Sequence, residues 1–120
     1  DVAGYEFHHN QKADSPSGTA TSIAEILKKQ VGRKKTIEYG QVDRQIKPSE
    51  LHFSSLRIGS DPGTHGVLFD SPADTIEIKH TARSRDGFAL GAVLAAEFLV
   101  GQKGFFEIEN LMDSIVGDRS

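Results

Sequence analysis

Apolar and polar positions change period several times along the chain. Tyr5 and Phe7 alternate with their neighbours over residues 2–9 and predict a strand. Residues 10–17 are polar and contain Pro16, so they form a loop. Ala20, Ile23, Ala24, Leu27 and Val31 then recur at helical spacing and define one face of a helix. Ser17 stands at its N-cap, and Lys28 and Lys29 suit the negative end of its dipole before Gly32 stops it. Residues 36–42 read as a further short strand, and 43–50 as a loop broken by Pro48. Leu51 with Phe53 (Leu56 and Ile58 less regularly), Val67 with Phe69, and Ile76 with Ile78 mark strands. Turns at Ser60-Asp61-Pro62-Gly63 and Ser71-Pro72-Ala73-Asp74 join them. Residues 86–100 form an Ala- and Leu-rich helix, apolar nearly all round, and 107–115 a shorter one.

The order β-α-β-β-β-α-α predicts an α+β domain: a mixed, mostly antiparallel sheet with helices packed on one face. Such a sheet leaves its other face free. Leu51, Phe53, Val67, Phe69, Ile76 and Ile78 either line both faces or load one heavily. Apolar groups on the free face would need another subunit or domain, and oligomerisation through the sheet is expected. If all of them face the helices, that requirement disappears.

The length of 120 residues suits one domain. Lys plus Arg is 14 and Asp plus Glu is 17, a net charge of −3, without the basic excess of a dedicated nucleic-acid binder. The cluster Lys28, Lys29, Arg33, Lys34, Lys35 lacks interleaved aromatics and reads as a solvated helix end. No apolar run reaches the roughly 18 residues of a membrane span; Phe88 to Val100 is interrupted by Gly91 and Glu97. The absence of Cys excludes a disulfide scaffold, a thiolate zinc site and a Cys nucleophile, and fits a reducing compartment such as the cytoplasm. The chain opens inside a strand with no Met and no leader pattern, as expected of a piece of a longer polypeptide.

Candidate chemistry is crowded into residues 6–20. Ser17-Gly18-Thr19 opens a helix, where unpaired N–H groups and a partial positive charge await an anion. Gly18 permits close approach to the backbone, Thr19 adds a hydroxyl, and Lys12 adds a full charge. His8 and His9 can exchange protons near neutral pH. Neighbours on a regular strand point to opposite faces, so the two imidazoles enter one pocket only if the strand end curls. Singly, these residues read as an N-cap, structural imidazoles and a solvated lysine. Together they outline a carboxylate or phosphate site beside a proton donor. A metal site is not assigned: among His8, His9, His52, His65 and His80 no pair has i, i+4 helical spacing, and adjacent strand histidines diverge. His52, His65 and His80 are expected to make structural hydrogen bonds.

The stretch His8-His9-Asn10-Gln11-Lys12-Ala13-Asp14-Ser15-Pro16-Ser17-Gly18-Thr19-Ala20 resembles the signature His-His-x-x-Lys-x-Asp-x-Pro-Ser-Gly-Thr-Ala of the dihydrodipicolinate reductases. Arg57-Ile58-Gly59, Gly63-Thr64-His65-Gly66-Val67-Leu68-Phe69, Ile78-Lys79-His80-Thr81-Ala82 with Arg85, and Phe88-Ala89-Leu90-Gly91-Ala92 extend the resemblance over nearly the whole chain. It implies the substrate-binding domain of an enzyme that reduces a cyclic imine to tetrahydrodipicolinate, with NADH or NADPH, in the diaminopimelate route to lysine. By position it implies His8 as proton donor and Lys12 as catalytic lysine. His9, Gly18 and Thr19 match substrate-binding positions, with Ser17 beside them. A small dicarboxylate substrate and a homotetramer built through this sheet are implied as well, with no nucleic acid and no membrane. Family members carry an N-terminal Rossmann domain. Its Gly-rich loop is not found here, since Gly59-Ser60-Asp61-Pro62-Gly63 lacks the spacing and precedes no helix. The piece alone is therefore expected to be inactive. The alternative reading is a non-catalytic oligomerisation or dicarboxylate-binding module with the same fold.

Overall fold

The computed structural model describes residues 1–117. It has two compact units, Asp1–Arg83 and a second that begins at Ser84. The first contains β1 (Val2–His8), α1 (Gly18–Gln30), β2 (Thr36–Glu38), β3 (Glu50–Arg57), β4 (Thr64–Asp70) and β5 (Thr75–Thr81). The strands form one sheet in the order β2-β3-β1-β4-β5.

The sheet is mixed. β3 runs parallel to both β1 and β2, whereas β4 is antiparallel to β1 and to β5. The parallel half follows from the connection, because the chain crosses over through α1 before it reaches β2 and β3. The antiparallel half follows from the short turns after Arg57 and Asp70. The pairings are thus evenly divided rather than mostly antiparallel.

α1 packs on one face of this sheet. Val2, Ala20, Ala24, Leu27, Leu51 and Phe53 form the buried core, with Ile23, Val31, Val67 and Phe69 against it. The pairs Gly4↔Phe53, Gly4↔Val67 and Val2↔Phe69 place these side chains on one face. Val67↔Ile78 and Phe69↔Ile76 add β5 to it. The apolar set therefore loads the helix face. At β5 the cover runs out: Ile76 is 58% and Ile78 64% exposed. The opposite face is not polar either. Tyr5 and Phe7 pack at 5.2 Å between ring centroids, and Leu56, paired with Phe7, is exposed.

Glycine has a packing role within the sheet. A Cβ on Gly4 would stand 2.3 Å from the Phe53 ring, and one on Gly66 2.2 Å from the Tyr5 ring. Each aromatic ring lies over the glycine of the neighbouring strand, one on each face.

The expected strand over 36–42 is shorter, Thr36–Glu38. The basic cluster is also not wholly solvated. Lys34 is buried; its Nζ donates to the Glu50 carbonyl at 2.7 Å and pairs with Asp1 at 2.6 Å. Burial, and next the charge of Arg33, hold its ammonium below the ordinary lysine range.

The second unit contains α2 (Asp86–Leu99) and α3 (Ile108–Val116). A reciprocal cap between Glu107 and Asn110 starts α3. Phe98 and Phe106 meet edge to face at 5.7 Å. α2, apolar nearly all round, has no buried residue in the single chain. No helix among the described residues is long and apolar enough to cross a membrane.

Candidate functional site

Alternation along β1 turns Val2, Gly4, Glu6 and His8 toward α1, and all four are buried. Val2 and Gly4 serve the core. Glu6 and His8 carry the same face beyond it, to the start of α1.

Glu6 is fully buried. Its Oε1 accepts hydrogen bonds from the Ser17 amide at 2.9 Å and from Arg57 Nη2 at 3.1 Å. Its Oε2 lies 2.8 Å from His8 Nδ1 and 3.7 Å from His65 Nε2. The contact with His8 is close but out of line for a hydrogen bond, so Oε2 and Nδ1 have no hydrogen-bond partner among the described residues. Burial by itself pushes this carboxyl up. The hydrogen-bonding groups of Ser17, then Ser55 and Arg57, outweigh it and hold the group at about 2. Glu6 is therefore an anion in the interior, compensated by one guanidinium and one amide.

Ser17 joins this cluster to the helix. Its hydroxyl accepts from the Ala20 amide at 3.1 Å, the N-cap bond, and meets His65 Nε2 at 3.2 Å. His65 stands opposite Glu6 in the antiparallel pairing of β1 and β4. The His8 and His65 rings are 5.2 Å apart, edge to face. Burial, and next the charge of His8, hold the His65 imidazole below its ordinary value. His65 thus makes the structural hydrogen bond expected of it, and so does His52, 3.3 Å from the Ser54 hydroxyl.

The loop after β1 carries the remaining candidates. His9 is the first residue beyond the strand, its amide donating to the Asp61 carbonyl at 2.8 Å. The Lys12 amide donates back to the His9 carbonyl at 3.2 Å, so a tight turn places Lys12 just past the end of β1. Lys12 Nζ pairs with Asp14 at 2.7 Å, and the Asp14 carbonyl accepts from Arg57 at 2.8 Å. Pro16 follows a cis peptide bond. Gly18 and Thr19 are exposed, and their amides have no partner among the described residues. A Cβ on Gly18 would meet nothing within 4 Å.

The structure therefore links His8, through Glu6 and His65, to Ser17. It leaves the two following amides open at the positive end of α1. An anion there would receive main-chain hydrogen bonds.

Glu6, His8 and His65 also offer ligand atoms within 4.8 Å of one another. That proximity was not legible from spacing, because it arises across two strands. The carboxylate already has its compensating charge in Arg57, and Ser17 already occupies His65. The cluster is a buried carboxylate in close contact with one imidazole, with no hydrogen bond between the two among the described residues.

Gly59 to Gly63 connects β3 to β4, and the Asp61 carboxylate accepts the Gly63 amide at 2.8 Å.

The chain is similar to known proteins over most of its length. A family profile described as "Dihydrodipicolinate reductase, C-terminus" matches residues 1–112. The 4-hydroxy-tetrahydrodipicolinate reductase of Caldanaerobacter subterraneus subsp. tengcongensis is 41% identical over 115 residues, covering 93% of this chain and 46% of that protein. The same-named protein of Christiangramia forsetii is 42% identical over 110 residues, covering 92% and 44%. Among solved structures, dipicolinate-bound dihydrodipicolinate reductase from Paenisporosarcina sp. TG-14 shares the fold, with a TM-score of 0.62 at 23% identity over 78% of this chain and 37% of that one. The chain spans about half the length of the curated relatives it matches. On the match to residues 1–112, the chain belongs to the dihydrodipicolinate reductase C-terminal family.

Proposed function

We propose that this chain is the substrate-binding and assembly domain of a 4-hydroxy-tetrahydrodipicolinate reductase of the lysine route. The observation that carries the reading is the open pair of amides at Gly18 and Thr19, fastened through Ser17 to the buried His8 cluster. One carboxylate of a small cyclic dicarboxylate accepts from those amides and from the Thr19 hydroxyl. Lys12 supplies the matching charge and stabilises charge that develops during reaction. His9 and Ser17 complete the binding edge. Reduction of a C=N bond needs a proton at nitrogen as well as a hydride at carbon. His8 is the proton donor, working from an imidazole whose other edge is already occupied by Glu6.

The hydride donor, NADH or NADPH, is held elsewhere. No residue of this chain is assigned to it, because Gly59-Ser60-Asp61-Pro62-Gly63 lacks the Gly-rich spacing and leads into a strand. A companion Rossmann domain is required, and the chain alone is inactive. The apolar face around Tyr5, Phe7 and Leu56 supports a homotetramer built through the sheet. The lack of Cys suits a cytoplasmic enzyme.

The test is kinetic. In the full-length reductase, His8→Ala is expected to lower kcat far more than it raises KM. An effect confined to KM would move His8 from proton transfer to binding.

A further inference from the structure

We propose that Glu6 is the positioning residue of His8: its carboxylate keeps the imidazole proton on Nδ1, so the ring works through Nε2, and Gly63 keeps that edge open. The inference rests on the reading of His8 as the proton donor, but its first test does not depend on that reading.

The geometry leaves one arrangement. Oε1 of Glu6 is taken by the Ser17 amide and Arg57. Oε2 has no such donor and lies 2.8 Å from His8 Nδ1, close although out of line for a hydrogen bond. The carboxylate is ionised and fully buried. A nitrogen lone pair at that distance from an anionic oxygen is repelled, whereas an N–H is attracted. Neutral His8 therefore carries its proton on Nδ1 and presents a lone pair at Nε2. Protonated His8 presents an N–H there.

The opposite edge of the ring is bounded by a glycine. A Cβ on Gly63 would lie 3.0 Å from His8 Nε2, and Gly63 has a φ of +147°, a conformation that L side chains rarely adopt. Any side chain at that position would press on the working nitrogen. The other groups about the ring are His65 from β4 and, behind the Glu6 carboxylate, Arg57 from β3. Asp61 turns its carboxylate to Gly63 and Thr64. None of these hydrogen-bonds to His8 Nδ1.

Nitrogen-15 spectroscopy of the intact chain, labelled at histidine, reads the tautomer directly at a pH where His8 is neutral. The expected result is a protonated Nδ1 and an unprotonated Nε2. The reverse pattern in the unmodified chain overturns the proposal, and no variant needs to fold for that outcome to be seen. In Glu6→Gln the neutral amide can donate or accept, so the bias toward Nδ1 is expected to disappear, and Glu6→Asp should restore it in part. In the full-length reductase, Glu6→Gln should lower kcat about tenfold or more with KM nearly unchanged. A Glu6→Gln protein that keeps the Nδ1 tautomer and full kcat contradicts the proposal. If the tautomer is as stated but His8→Ala leaves kcat intact, the assignment of His8 as donor fails and the Glu6–His8 relationship stands.

Discussion

The Ser17 amide donates to the buried Glu6 carboxylate across 2.9 Å, tying the N-cap of α1 to the end of β1. The same serine caps the helix with its hydroxyl and touches His65. One residue therefore fixes where the open amides of Gly18 and Thr19 stand relative to the imidazole cluster. Fold and site share this joint.

Removing the hydroxyl while keeping the amide separates these roles. Ser17→Ala should cost about 1 kcal/mol of stability through the lost N-cap, read as a lower urea midpoint with an unchanged slope. The Glu6 contact survives, since it uses the main chain. A loss within error would show that the cap contributes nothing here.

The buried carboxylate sets an acid limit. Glu6 is held at about 2 in the fold against an ordinary 4.5, so the unfolded chain binds its proton first. Its contribution is complete above 4.5 and is lost as pH falls from there toward 2. Glu50, lowered to about 2 by Arg44, acts in the same window. His65 has its folded value depressed by burial, so stability also declines once pH drops below its ordinary 6.5. Denaturation midpoints measured across pH should fall in two stages. Glu6→Gln should flatten the lower one, and His65→Gln the upper one. A flat profile between pH 7 and 3 would contradict both assignments.

Ring-over-glycine packing predicts strong size limits at two positions. Gly4→Ala drives a methyl into Phe53, in the core, and should cost about 1–3 kcal/mol or prevent folding. Gly66→Ala collides with Tyr5 on the opposite face, where the ring can swing outward, and should cost less. Thermal unfolding of the two variants orders them, and equal losses would argue that both faces are equally confined.

The apolar face opposite α1 makes an assembly prediction. Leu56→Glu puts a charge on the exposed surface beside Phe7 and should shift light-scattering mass toward the monomer while leaving the single-chain fold intact. An unmodified chain that is already monomeric would contradict an interface through this sheet.

Much of this was written in the local pattern. The helical spacing from Ala20 to Val31 and the Ser17 cap gave α1, and alternation gave β1 and β3 to β5. The segment from His9 to Thr19 offers its candidate anion-binding residues through residue type alone. Glu6 did not stand out, because a glutamate alternating with aromatics on a strand reads as the solvated face. Its burial depends on register: His65 lies across from it on β4 and Arg57 reaches it from β3. The burial of Lys34 escapes the local pattern for the same reason, since its partners, Asp1 and Glu50, are remote in sequence. Spacing arguments see neighbours along the chain, and these contacts are between strands.

The most direct measurement of the central claim is a titration of pyridine-2,6-dicarboxylate into the intact chain, followed at the amide resonances. Saturable shifts at Gly18 and Thr19 are expected, with affinity reduced roughly tenfold to a hundredfold in Lys12→Ala by loss of a charged partner. Resonances of Gly18 and Thr19 that stay fixed at millimolar ligand would contradict the account.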